Sequence, residues 1–204
     1  IEHRTLNVHH RIMTGKTSCR CLLLIAAAVF AISGCAATFN PRPIDEARYR
    51  NRAEAQTDGN VQVSAVVLGR EETEAVFDLD LYDKGIQPIW LEVDNRSEER
   101  IWISTLGIDR NYFPPSEVAY RHHFRFSKKV NQRMNQYFHD QALGPYVSPN
   151  QVGSGFVFTN LKLGTKIFNV DILGEDEKFR TFTFFITVPG LGVSHQEVDF
   201  DTLY

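Results

Sequence analysis

The side chains best suited to chemistry are concentrated in one stretch of the chain, residues 109–125. Asp109 and Glu117 supply carboxylates there, and His122 and His123 supply imidazole rings. Carboxylate and imidazole groups are common zinc ligands, and they are also the usual general acids and bases of enzymes. One hypothesis for this chain is therefore a metal-dependent hydrolase that uses Asp109, Glu117, His122 and His123.

The spacing of these residues does not favour a metal site. Neighbouring side chains on a helix point about 100° apart, so His122 and His123 cannot readily bind one ion from the same helix. The His-Glu-x-x-His pattern of zinc peptidases does not occur in the sequence. We therefore expect no bound metal, no cofactor and no catalytic residues, with His123 packed on an apolar face and His122 in solvent.

Two further motifs have a structural interpretation. Gly153-Ser154-Gly155 places a serine between two glycines. A hydrolase nucleophile requires Gly-x-Ser-x-Gly between a strand and a helix, whereas a β-rich run follows here, so we predict a turn. The acidic residues 71–74 lack the alternating ligands and the glycine turn of a calcium loop. We predict a solvated loop, followed by a charged edge strand over residues 77–81.

The chain begins with the features of an export signal. Residues 21–32 are uncharged and mostly apolar, and Lys16 and Arg20 precede them. This run is shorter than the roughly 20 apolar residues that span a bilayer, but it has the length of the apolar region of a signal peptide. A start at Met13 would give the leader a conventional length, so we predict that translation begins there.

The apolar run ends in Ile32-Ser33-Gly34-Cys35, which resembles the lipobox of bacterial lipoprotein signals. The resemblance implies cleavage before Cys35 and a thioether-linked lipid, with palmitate-type acyl chains, on that cysteine. Ala36 follows, and the enterobacterial sorting rule sends a lipoprotein without aspartate at this position to the outer membrane. The resemblance thus implies an outer-membrane lipoprotein that faces the periplasm and is attached to the membrane through Cys35.

Composition divides the chain into three parts. We predict a leader over residues 1–34, a lipidated cysteine and flexible tether over residues 35–60, and a folded domain over residues 61–204. Pro41, Pro43 and a charged stretch with few large apolar groups indicate the tether, which would span about 25–30 Å on average. The net charge of −3 gives no basic excess, so we expect no nucleic-acid partner.

Apolar residues alternate with polar ones along much of the folded part, which predicts β-strands. The predicted strands cover residues 61–67, 77–81, 89–93, 100–105, 155–159, 166–173 and 179–188. The polar residues 94–97 separate two of these strands and predict a hairpin. In the last strand, Phe182 and Phe184 share one face while Phe185 lies on the other. We therefore expect this strand to be central and covered by a helix.

One insertion, residues 109–144, breaks the β pattern. The Pro-Pro-Ser-Glu run at residues 114–117 predicts the start of a helix, with Ser116 as its cap. A longer amphipathic helix is predicted by apolar residues that recur at three- and four-residue steps, namely Phe126, Val130, Met134 and Tyr137.

Residues 88–95 and 148–158 resemble segments of immunoglobulin-like envelope domains. In those domains a strand that ends in an Asn turn pairs with the next, and a turn containing Pro precedes a strand of the Ser-Gly-Phe-Val-Phe type. The expected fold class is mainly β, an immunoglobulin-like β-sandwich with an inserted helical segment. The resemblance implies a fold only, because this architecture serves many unrelated functions.

These features lead to one main hypothesis about function. We expect a membrane-anchored envelope lipoprotein that acts as a non-enzymatic binding or structural module, with another envelope protein or a glycan as its partner. The metal-dependent hydrolase is one alternative. A carrier of a hydrophobic ligand, built on the Phe-rich strand at residues 179–188, is the other.

Overall fold

A computed structural model describes residues 38–41, 49–175 and 177–190 of the chain. These residues form eight β-strands and three α-helices. The strands are β1 (Glu54–Asp58), β2 (Val61–Val67), β3 (Ile86–Asn95), β4 (Ile101–Ser104), β5 (Tyr146–Val147), β6 (Gln151–Asn160), β7 (Thr165–Gly174) and β8 (Phe179–Thr187). The helices are α1 (Arg70–Phe77), α2 (Pro115–Tyr120) and α3 (Lys128–Gln141). The predicted leader, the start at Met13 and the lipidation site at Cys35 lie outside the described residues.

The strands form two antiparallel sheets of four strands each. Sheet A has the order β1-β2-β3-β6, and sheet B has the order β5-β4-β7-β8. The prediction of a mainly β fold is therefore confirmed. Every predicted strand has a counterpart in the structure except the one expected over residues 77–81.

The two sheets share an apolar core built from alternate residues of their strands. On β2, Val61, Val63, Ala65 and Val67 are fully buried in this core. Sheet B contributes the inward residues of β7 and β8, including Phe168 and Phe184, whose rings stack with centroids 5.5 Å apart. The two-residue period that predicted these strands is thus the period with which their side chains enter the core.

A second apolar core lies on the other side of sheet A, under the helices. Phe77 at the end of α1 stacks on Phe138 of α3 at 5.2 Å, and it also lies 5.1 Å from Phe156 of β6. Trp90 of β3 joins the same cluster. The helices and two sheets therefore form three layers, and the middle strands of sheet A are buried on both faces.

The connection from β3 to β4 crosses between the sheets, so the predicted hairpin at residues 94–97 is wrong. β3 pairs with β2 and β6, whereas β4 pairs with β5 and β7. The corner is held by the fully buried side chain of Asn95. Its Nδ2 donates to the carbonyls of Glu99, Val147 and Ser148 at 2.8, 3.3 and 3.1 Å. The chain can pass from one sheet to the other at a polar turn when one side-chain amide donates hydrogen bonds to the carbonyls at the corner.

The acidic residues 71–74 lie in α1, so the predicted loop and edge strand are also wrong. The carboxylate of Glu72 accepts from the backbone N–H of Gly69 at 2.9 Å, and Asp78 ends the helix with a left-handed φ of 54°. Thr73, Val76 and Phe77 are buried together because they follow the helical period. Residues 77–81 alternate between apolar and polar side chains as a strand would. However, Phe77 is the last residue of α1 and Asp78 is its C-cap.

Both ends of the insertion attach to the free edge of β6. The N–H of Phe113 donates to the carbonyl of Phe158 at 2.7 Å, and the N–H of Leu143 donates to that of Phe156 at 3.0 Å. These contacts satisfy edge groups that could otherwise pair with another chain. A Cβ on Gly155 would lie 2.5 Å from the Leu143 nitrogen. Gly153-Ser154-Gly155 therefore belongs to a strand that another backbone approaches closely at Gly155, not to the predicted turn.

The helices of the insertion are present with small differences at their starts. α2 begins at Pro115 after an N-cap at Pro114, so Ser116 is not its cap. α3 is capped by Ser127, whose side chain accepts from the Val130 N–H at 3.4 Å.

The fold includes residues before 61, the expected start of the domain. β1 pairs along its full length with β2. Upstream of it, Phe39 and Tyr49 are buried in the core beneath the helices. The tether was predicted from the charged composition of residues 35–60, and two isolated aromatic residues change that composition very little.

Candidate binding surface

Asp109 has a structural role in the described part of the chain. Its Oδ2 accepts from the backbone N–H and the side-chain amide of Asn160 at 2.9 and 3.1 Å, and its Oδ1 accepts from the Asn111 N–H at 3.0 Å. Burial acts to raise the pKa of this carboxyl, but the hydrogen bonds and the charge of Lys166 outweigh it, so the pKa lies below its usual value. The ionised carboxylate fixes the end of β6.

His122 is the more buried of the two histidines, although it was expected to lie in solvent. His122 is only 4% exposed, and its Nδ1 lies 2.9 Å from the Val118 carbonyl. Burial lowers the pKa of His122, although the Val118 and Asp80 backbone groups favour the protonated ring. His123 is half-buried, and its Nε2 lies 2.9 Å from the side-chain oxygen of Asn135.

Glu117 does not join the histidines either. Its Oε1 accepts from the guanidinium of Arg121, the C-cap residue of α2, at 2.7 Å. Asp109, Glu117, His122 and His123 thus bond to different partners. In the ranges that the structure describes, no three His, Cys, Asp or Glu side chains are grouped so as to hold a metal ion.

The sequence interpretation overlooked Lys166, a buried cation at one end of the two sheets. Its Nζ donates to Oε1 of Gln87 at 2.9 Å and to the carbonyl of Asn160 at 2.6 Å. Burial lowers the pKa of Lys166 to about 8, while the charge of Asp109 acts in the opposite direction. The alternation of residues along β7 places Lys166 on the inward face of the strand. The neighbouring sequence gives no other indication that its side chain is buried.

The most distinctive surface is the outer face of sheet B. One row of large side chains crosses all four strands, because Trp102 pairs with Tyr146 and Leu173, and Leu173 pairs with Phe179. All four side chains are exposed, and Phe179 is 65% exposed. With strands about 4.8 Å apart, this row is about 14 Å wide. We refer to this face as the sheet B face.

A second apolar pair lies farther along the same face. Ile167 of β7 is opposite Phe185 of β8, and Phe185 is 59% exposed. Six residues along the strands separate it from the first row, which corresponds to about 20 Å. The band between them is polar; there Thr181 donates to the carboxylate of Asp171 at 2.8 Å. Exposed apolar clusters with polar groups between them are typical of interaction sites.

The face continues into a groove beside β7. Leu106 and Asp171 line it together with Ile167, and Asn169 donates its N–H to the Gly107 carbonyl at 3.0 Å. At the other end of the face, the guanidinium of Arg100 lies 4.9 Å from the ring centre of Tyr146.

The position of β8 corrects the prediction for the Phe-rich strand. Phe182 and Phe184 do enter the core between the sheets. However, β8 is the last strand of sheet B, and its outer residue Phe185 is exposed rather than under a helix. The helices cover sheet A instead. The inward phenylalanines fill packed space, so they give no support to a ligand cavity within this strand.

Comparisons with known proteins add no identity. No protein-family model matches the chain, and no curated protein matches it. Across the described residues, none of the helices combines the length and the apolar character needed to cross a membrane.

Proposed function

We propose that the protein is a lipid-anchored component of the bacterial cell envelope and a non-enzymatic binding or structural module. Its anchor would be Cys35, and its location the periplasmic side of the outer membrane. The observation that supports a binding role is the row of exposed Tyr146, Trp102, Leu173 and Phe179 across sheet B. Large exposed aromatic side chains in one row favour partner binding because they bury much area on contact.

The strand order supports the finer proposal of an immunoglobulin-like sandwich. In sheet A, β2, β3 and β6 are neighbours in the order expected for strands A, B and E. In sheet B, the order β5-β4-β7-β8 corresponds to C′, C, F and G. The helical insertion then lies between strands C and C′, and β1 is an additional strand at the edge of sheet A.

A protein partner is favoured over a glycan by the composition of the sheet B face. Aliphatic Leu173 and Ile167 each lie next to an aromatic side chain, and Leu106 extends the apolar surface into the groove. Aliphatic side chains contribute to protein interfaces through burial, whereas a sugar platform would rely on the rings alone.

Footprinting of the sheet B face in intact envelopes tests this proposal. Hydroxyl radicals should oxidise Trp102, Tyr146 and Phe179 less in the envelope than in the purified protein, because a partner shields them. Tyr112, which is exposed elsewhere, serves as the control and should react equally in both. Shielding that survives muramidase digestion supports a protein partner, and shielding lost on digestion indicates a glycan. Equal oxidation of the face in both samples would reject the binding role.

The anchor is tested separately by Cys35→Ser. A palmitate analogue supplied to growing cells should label the wild-type protein and not the variant. The wild type should sediment with membranes. Equal labelling of both proteins, or none of either, would reject lipidation at Cys35.

A further inference from the structure

The chain is fixed to the helical layer very close to the predicted lipidation site. Phe39 is only 3% exposed, and its ring makes an edge-on contact with Tyr137 at 5.7 Å. Arg133 of α3 donates to the Phe39 carbonyl at 2.7 Å, and Asn40 donates its N–H to the Asp78 carboxylate at the same distance. The chain is thus held at residue 39, on α3 and the end of α1.

Covalent geometry then limits the distance between a lipid on Cys35 and the helical layer. Phe39 follows Cys35 by four residues, and four residues span at most about 14 Å. That distance is about half the 25–30 Å expected for a free tether over residues 35–60. A lipid on Cys35 would therefore bring this part of the helical layer to the bilayer surface.

The helical layer is basic on the side of α2 and α3. Between Glu117 and Asp140 the sequence contains no acidic residue. The same stretch carries five cations, namely Arg121, Arg125, Lys128, Lys129 and Arg133. Arg121 pairs with Glu117, but Arg125, Lys128 and Lys129 are exposed. The cluster stands out in a chain with a net charge of −3.

Two large aromatic side chains project from the same region. Tyr120 and Phe124 are each 73% exposed. The Arg125 guanidinium lies 5.3 Å from the Phe124 ring centre, and the Lys84 ammonium lies 5.8 Å from it. An exposed aromatic ring flanked by cations is typical of surfaces that enter the headgroup region of a bilayer.

The acidic groups closest to this region follow α1, and three of them have polar partners. Asp80 binds Arg70 at 2.6 Å, Asp83 binds Lys84 at 3.2 Å, and Asp78 accepts from Asn40. The cations of α3 therefore present the charge that an anionic surface would attract.

We propose that Tyr120, Phe124, Arg125, Lys128 and Lys129 form a second membrane-binding site that lies on anionic phospholipid beside the lipid on Cys35. We call this set the basic-aromatic surface. The proposal rests on the lipidation proposed above. A basic patch near a lipid anchor strengthens the attachment to an anionic bilayer. The domain would then lie on the membrane through its helices, with the sheet B face on the layer farthest from them.

Depth-dependent fluorescence quenching tests the basic-aromatic surface. Protein purified from its native membrane is reconstituted into vesicles of phosphatidylcholine, with or without phosphatidylglycerol and with brominated acyl chains. Phe124→Trp should be quenched strongly when phosphatidylglycerol is present. The matched variant Phe185→Trp, on the outer face of sheet B, should show only the background from Trp90 and Trp102. Equal quenching of the two variants, or no dependence on phosphatidylglycerol, would overturn the proposal.

Charge reversal supplies the second arm. Lys128→Glu with Lys129→Glu should remove most of the quenching of Phe124→Trp. The control pair Arg110→Glu with Lys162→Glu makes the same change in net charge at exposed positions elsewhere and should leave it intact. Equal loss with both pairs would indicate nonspecific attraction and would reject a defined site. Circular dichroism confirms that each variant is folded.

Intact mass separates failure of this proposal from failure of the anchor. A protein whose mass shows no lipid but whose residue 124 is quenched on phosphatidylglycerol would reject the anchor and support the surface. A lipidated protein without quenching at residue 124 would support the anchor and reject the surface.

Discussion

The ammonium of Lys166 donates to the side-chain oxygen of Gln87 at 2.9 Å, and this contact joins the two sheets from within. Lys166 lies on β7 of sheet B, whereas Gln87 lies on β3 of sheet A. The same ammonium donates to the Asn160 carbonyl at the end of β6. One cation therefore binds one buried and one partly buried acceptor and connects three strands.

Lys166→Met should destabilise the domain at pH 7. The variant keeps the apolar stem but takes the ammonium donor from the Asn160 carbonyl and leaves the Gln87 oxygen with the long contact to the Lys162 N–H at 3.4 Å. A buried polar group that loses its partner costs roughly 1–3 kcal/mol. Removal of the buried charge offsets part of that loss. Urea unfolding should therefore show a net loss of about 1–3 kcal/mol in the free energy of unfolding. A variant more stable than the wild type would mean that desolvation of the amine dominates.

The contribution of Lys166 should also depend on pH. Its pKa is about 8 in the fold, against 10.5 for an ordinary lysine. Between these values the unfolded chain binds more protons than the folded one, so stability from this group rises with pH. The difference in unfolding free energy between wild type and Lys166→Met should grow from pH 8 to pH 10.5. A difference that stays constant would show that the amine is not perturbed.

His122 should make the domain sensitive to mild acid. Burial lowers the pKa of the folded ring, so below about pH 6.5 the unfolded chain takes up a proton that the folded chain resists. Stability from this group is therefore present above that pH and is lost as the pH falls. His122→Gln should unfold with a smaller loss of stability between pH 7.5 and pH 5.5 than the wild type. His123→Gln is the control, and an identical pH response in both variants would contradict the prediction.

Gly155 should not tolerate even a methyl group. An added Cβ would lie 2.5 Å from the Leu143 nitrogen and 2.7 Å from the Ala142 carbonyl carbon, so one backbone must move. Gly155→Ala should destabilise the domain by about 1–3 kcal/mol, as overpacking commonly does. Gly144→Ala is the matched control, because its Cβ would meet nothing closer than 3.8 Å. Thermal melts compare the two, and equal melting temperatures would contradict the close approach.

Substitution of Asn95 should also destabilise the domain, because its side-chain amide is lost. Asn95→Ala removes the donor shared by the Glu99, Val147 and Ser148 carbonyls, and a buried carbonyl without a partner costs about 1–3 kcal/mol. Asn135→Ala, which alters an exposed partner of His123, serves as the control. Equal unfolding free energies for the two variants would show that water replaces the Asn95 amide.

The strands that could be predicted from the sequence are those in which apolar and polar residues alternate, because this pattern depends only on neighbouring residues in the chain. β7 alternates along its whole length, and β2 alternates over residues 61–65, because one face of each enters the core between the sheets. The path from β3 to β4 was predicted as a hairpin because the turn residues alone do not show which sheet the next strand joins. That choice depends on Asn95 reaching carbonyls more than fifty residues away, at Val147 and Ser148.

The environments of the candidate site residues were harder to predict for the same reason. His122 and His123 are adjacent, and only the packing of the insertion on sheet A decides which of them is buried. The exposure of Phe185 likewise depends on which sheet the helices cover. Sequence periodicity assigned Phe182 and Phe184 to one face and Phe185 to the other, but it could not say which layer lies on each face.

The last prediction compares two phenylalanines that a sequence pattern cannot distinguish. Phe77 is fully buried and contacts Phe138, Phe156 and Phe158 with ring centres 5.1–5.5 Å apart, whereas Phe185 is mostly exposed on the sheet B face. Phe77→Ala should lower the free energy of unfolding by about 3–5 kcal/mol, because it removes a large ring from a packed core. Phe185→Ala should change it by less than about 0.5 kcal/mol, as surface substitutions usually do.

Urea unfolding monitored by circular dichroism measures both variants. The contrast is informative because it separates the layer that stabilises the fold from the face that is free to bind. A large loss with Phe185→Ala would mean that the sheet B face packs within the domain, and the proposed docking role would then have no surface. A small loss with Phe77→Ala would mean that the helices contribute little to sheet A. In that case the fixed position of Phe39, and the membrane orientation inferred from it, would lose its support.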